Sequence, residues 1–115
     1  MVEGLHHISL IASSEKTIEF YADLGFQEVR RIPRAGDAVV FMEGKGLALT
    51  IFVDGRHPKK DMKLEPLGVR SFALKVDDFE AALKEYPCGP VKTDWFGQRY
   101  CLLEDPDGQI VELHE

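Results

Sequence analysis

Two histidines stand side by side, His6 and His7, at the mouth of the apolar run in MVEGLHHISLIA. Near the far end a carboxylate, Glu112, sits between Val111 and Leu113. An imidazole and a carboxylate that meet in a polar cleft satisfy each other by a hydrogen bond without any ion. Neighbouring residues on a strand point to opposite faces, so only one of the two histidines looks into such a cleft. Arg99 offers a cation for an anionic ligand or a surface partner for Asp94, and Trp95 and Phe96 precede it in a loop.

The elements that must position these groups repeat. GLHHISLIA has the composition of a strand, and SSEKTIEFYADLG offers serine caps, an acidic first turn and a terminal Gly25 for a helix. FQEVRRI, DAVVFME and LALTIFV follow as strands, separated by PRAG and GKG turns. DGRHPKKDMKLEPLG is polar, with two prolines, and connects. Then GVRSFALKV is a strand, DDFEAALKEY a helix, and VKTD, QRYCLLE and QIVELHE are strands, the last two joined by DPDG.

The pattern is βαβββ, loop, βαβββ. Laying HISLIA on SFALKV sets Ile8, Leu10 and Ala12 against Phe72, Leu74 and Val76 as the faces that pack on the helices. His7, Ser9 and Ile11, and Ser71, Ala73 and Lys75, take the opposite, more polar faces. Matching Gly46 to Gly108 pairs Thr50 with Glu112. The equivalent cleft positions are therefore His7 and Thr50 in one module, Ser71 and Glu112 in the other, with His6 on the helix side. Ala48 shares Thr50's face and replaces it if the register is off by two.

The bulk numbers bound the partners. A chain of 115 residues is one domain's worth, at roughly 100–200 residues per domain. With 44% hydrophobic residues it buries a core without disulfide staples. A net charge of −6 argues against nucleic acid and anionic membranes as partners. Cys88 and Cys101 form no C-x-x-C pair and suggest free thiols in a reducing compartment. No leader, lipidation motif or membrane-length apolar run is present, so a cytoplasmic protein is expected.

The duplicated unit and its phrases resemble the glyoxalase/bleomycin-resistance/extradiol-dioxygenase superfamily, the vicinal oxygen chelate fold. HHISLIA with EFYADLGF is similar to the family's first strand and helix. GVRSFALKVDDFEAAL is similar to its second opening, and FGQRYCLLEDPDGQIVELHE to its closing hairpin. The TD-x-x-G-x-R phrase (Thr93, Asp94, Gly97, Arg99) resembles small bacterial glyoxalase-I-like members. One local departure is that only Ala22 and Asp23 separate FY from LGF. The resemblance implies an α+β fold in which two tandem βαβββ modules form a curved mixed sheet around a cleft, with the helices outside. The whole of 1–115 is then one domain, with module 1 about 4–54, a linker about 55–67 and module 2 about 68–115.

In family members that bind metal, each of four strands commonly gives one cleft-facing ligand. The resemblance carries the first onto His7 and the last onto Glu112. Thr50 and Ser71 stand where a glutamate and a histidine are usual. Hydroxyls are poor ligands for zinc, nickel or iron beside imidazole or carboxylate, and catalytic sites normally hold at least three protein ligands. A third would have to come from His57 or His114. The expectation is a family member that binds a small organic ligand through Thr50, Ser71 and Arg99. Its cofactor is none, or a weakly held divalent metal (Zn, Ni, Mn or Fe) on His7 and Glu112. The alternative is a metal-dependent glyoxalase-like lyase, isomerase or dioxygenase in which Glu112 is catalytic and moves a proton. Family members commonly pair two chains, so a homodimer is expected, its cleft formed within one chain or between modules of two.

Overall fold

The computed structural model describes residues 1–115. The chain runs β1 (Ile8–Ala12), α1 (Glu15–Asp23), β2 (Gln27–Arg34), β3 (Asp37–Gly44), β4 (Leu47–Val53), β5 (Ser71–Lys75), α2 (Phe79–Glu85), β6 (Lys92–Thr93), β7 (Arg99–Glu104) and β8 (Ile110–His114). Each βαβββ module forms its own four-stranded mixed sheet, ordered β1-β4-β3-β2 and β5-β8-β7-β6. Two compact units result, Met1–Lys59 and Lys60–Glu115. No helix is long and apolar enough to cross a membrane.

In the first unit Ser14 caps α1, its side chain accepting from the Lys16 N–H at 3.3 Å. The helix buries Thr17, Ile18 and Tyr21 and stops at Gly25, which takes the left-handed φ of 104°. Beneath it Val40, Met42, Leu49 and Ile51 are buried, every second residue of β3 and β4. Pro33 is tolerated because β2 is the sheet edge, where a missing N–H breaks no inner ladder. A register shift between Glu28 and Arg30 turns Val29 outward.

The second unit repeats the plan with α2 capped by Asp78, whose carboxylate accepts from the Ala81 N–H. Phe79 and Ala82 bury against a sheet face that includes Cys101, Leu103, Val111 and Leu113. The DPDG turn is built by Asp105, whose side chain accepts from the N–H groups of Asp107 and Gln109 at 2.9 Å each. Gly108 is required twice over. Its φ is 89°, and a Cβ there would lie 2.1 Å from the Lys60 carbonyl oxygen. That close approach belongs to the connecting segment, which is pinned by Lys60 N–H donating to Asp107 O and by Lys60 Nζ donating to Val69 O and Gln109. The segment also winds one 3-10 turn, Met62–Leu64, capped by Asp61.

Both first strands are shorter than their apolar runs suggest. β1 begins at Ile8 rather than in the GLHH stretch, and β5 begins at Ser71, after Gly68 with its φ of 108°.

Candidate functional site

The registers place the candidate residues. In the first sheet Ser9 pairs with Thr50, and Thr50 with Phe41, so these three share the face away from α1. In the second sheet Ala73 pairs with Glu112, and Glu112 with Leu102. Thr50 and Glu112 thus hold equivalent places in the two modules, as the turn glycines indicated. Ser71 shares Glu112's face, two residues back along β5.

That face of the second unit floors a cavity of about 550 Å³. Ser71, Leu102, Ile110 and Glu112 line it from the sheet, and Lys92, Thr93, Asp94, Trp95 and Tyr100 from the last hairpin and its turn. Met62, Glu65 and Arg70 close the remaining side. Of its three acids two are committed. Glu65 pairs with Arg70 at 3.1 Å. Asp94 accepts from the Phe96 and Gln98 N–H groups at 2.8 and 2.9 Å and faces His114 Nε2 at 3.1 Å. Those contacts, the Gln98 N–H foremost, hold Asp94 below the usual carboxylate range. Glu112 is left as the uncommitted carboxylate on the floor. Lys92 and Tyr100 pair across β6 and β7 beside it, and Trp95 stands at the rim, 99% exposed.

Arg99 is not brought to this cavity. It points to the opposite strand face from Tyr100, where its guanidinium reaches Glu80 of α2 and Glu115 and lies 4.8 Å from the Phe79 ring centre. Asp94, its expected surface partner, is engaged elsewhere. The cavity's cations are Arg70 and Lys92, and Lys92 was recoverable from the alternation that also delivers Tyr100.

His6 and His7 precede β1, so strand alternation does not separate them. Their Nδ1 atoms are 2.9 Å apart and their rings meet edge to face at 5.1 Å. His6 borders a hollow of about 540 Å³ with Glu43, Lys45 and Ala48. A further hollow of about 440 Å³ in the first unit is lined by Ser9, Ile11, Arg34, Asp37, Phe52, Asp54 and His57. There Arg56 holds the buried Asp54 far below the carboxylate range, with His57 Nε2 at 3.5 Å from it.

No group of three or more His, Cys, Asp or Glu side chains is gathered so as to hold a metal ion. Within the second-unit cavity the donor types do not fit a tightly held divalent metal either: Ser71 and Thr93 offer hydroxyls beside the one uncommitted carboxylate of Glu112, and His114 Nε2 is turned to Asp94.

The family model for the Glyoxalase/Bleomycin resistance protein/Dioxygenase superfamily matches residues 4–113. This chain belongs to that superfamily. The Escherichia coli (strain K12) protein YaeR is 32% identical to it over 128 residues, covering 99% of this chain and 97% of YaeR. The crystal structure of the glyoxalase family protein from Enterococcus faecalis matches with a TM-score of 0.87 at 28% identity, over 98% of each chain. Bleomycin-binding protein complexed with bleomycin shares the fold, with a TM-score of 0.67 at 22% identity over 97% of this chain and 98% of that one.

Proposed function

We propose that this superfamily member binds a small organic ligand in its cleft, with a metal set left incomplete by Thr50 and Ser71. The observation that carries the reading is the second-unit cavity, where Ser71 and the uncommitted Glu112 share one floor. Lys92 suits an anionic group of the ligand, and the Trp95 and Tyr100 rings suit a planar or apolar body. Glu112 supplies an acceptor, and would serve as the proton carrier were the ligand also turned over. Bleomycin-binding protein, complexed with bleomycin, is the precedent for a binding role on the same fold.

The two units act as one vicinal oxygen chelate domain. It pairs as a homodimer, because each sheet has only one helix of its own to cover it, and its free thiols suit a reducing, cytoplasmic setting. The test is metal analysis of untagged protein together with thermal shifts under zinc, nickel and manganese. We expect substoichiometric metal and small shifts. One tightly held equivalent, lost on Glu112→Gln, would instead support a metal-dependent lyase or isomerase.

A further inference from the structure

Cys88 and Cys101 take no part in the cavity, yet the fold brings them together. The Gly89 N–H donates to the Leu102 carbonyl at 3.0 Å, which lays the segment after α2 alongside β7. Their neighbours Gly89 and Leu102 meet through that bond, which sets Cys88 near Cys101. Cys101 is fully buried on the helix side of its sheet, whereas solvent reaches Cys88. Burial pushes the Cys101 thiol up to about 12, and the nearby Cys88 adds to the shift. A thiol so buried is inert on its own, but it lies against a neighbour that a small oxidant can reach.

We propose that Cys88 and Cys101 form a reversible disulfide on exposure to a hydroperoxide, tethering the rim of the second-unit cavity. The Cys88 thiolate attacks the terminal peroxide oxygen. An S–O bond forms, the O–O bond breaks, and the departing hydroxide or alkoxide takes up the proton the Cys88 thiol had released, leaving as water or an alcohol with a Cys88 sulfenic acid behind. The Cys101 sulfur then attacks the Cys88 sulfur. The S–S bond forms, the S–O bond breaks, and the departing hydroxide takes the Cys101 proton and leaves as water. Two thiols are oxidised by two electrons, and the hydroperoxide is reduced by the same two.

The bond would close the segment from 88 to 101, which contains β6 and the Asp94 turn. Lys92, Thr93, Asp94, Trp95 and Tyr100, all cavity residues, lie inside that loop. Trp95 is the only tryptophan of the chain, so its fluorescence reports on the loop directly.

The experiment treats the reduced protein with excess hydrogen peroxide, then counts thiols, measures intact mass and maps peptides without reductant. We expect both thiols to disappear, the mass to fall by two hydrogens, and one Cys88–Cys101 peptide to form within the monomer. The Trp95 emission should change and be restored by dithiothreitol. Cys88→Ser, at a position solvent already reaches, should keep its Cys101 thiol and its emission through the same exposure. The proposal is overturned by Cys88 passing to sulfinic or sulfonic acid beside a free Cys101, by a bond between chains, by survival of both thiols, or by an emission indifferent to the bond.

Discussion

At His114 both ring nitrogens face acceptors, the Glu115 carbonyl at 3.0 Å from Nδ1 and the Asp94 carboxylate at 3.1 Å from Nε2. Only the imidazolium donates to both, so the ring's pKa rises above its ordinary 6.5, with the Glu115 carbonyl as the leading cause. Asp94 moves the other way, below its ordinary 3.8. A raised histidine contributes stability that is complete below 6.5 and is lost as pH rises through its folded value. A depressed carboxyl contributes above 3.8 and is lost as pH falls through its folded value. The stability difference between wild type and His114→Ala should therefore be greatest between pH 3.8 and 6.5 and shrink toward alkaline pH. Urea unfolding across a pH series measures it, and a difference that grows above neutrality would contradict this pairing. Such residue-level partnerships were only partly legible. The places of Glu112 and Ser71 followed from strand alternation, which is local. Arg99's did not, because its partners Glu80 and Glu115 come from a helix and a chain end that only folding brings near.

At the scale of elements, turn chemistry decides the second unit. Gly108→Ala must adopt a left-handed φ and also push the connecting segment away from the Lys60 carbonyl. We expect a loss of at least about 1 kcal/mol by urea unfolding. Removing the α2 cap with Asp78→Ala should cost about 1 kcal/mol. Leu113→Ala, at a fully buried position of β8, should cost roughly 2–5 kcal/mol. The sequence made most of these elements readable, since β3 and β4 are apolar runs bounded by turn residues and both helices carry caps. It overextended β1, because apolar composition continues to Leu5 while the pairing with β4 begins at Ile8 and Leu49. It read the linker as plain loop, because the bonds from Lys60 to Val69, Asp107 and Gln109 depend on tertiary approach.

At the scale of the whole molecule, the proposed homodimer predicts twice the chain mass by light scattering at micromolar concentration, and a monomer there would count against it. The central claim is that the cleft is a ligand site without a resident metal. Its most direct measurement is a calorimetric titration of a divalent metal, manganese or zinc, into wild type, Ser71→Ala and Ser71→His. Ser71 and Glu112 line the same cavity, so an imidazole at 71 places a stronger ligand beside the uncommitted carboxylate. We expect weak binding to wild type, no change for Ser71→Ala, and an affinity at least about tenfold higher for Ser71→His, roughly 1.4 kcal/mol. A wild type that already binds one equivalent tightly, and loses it in Ser71→Ala, would contradict the claim.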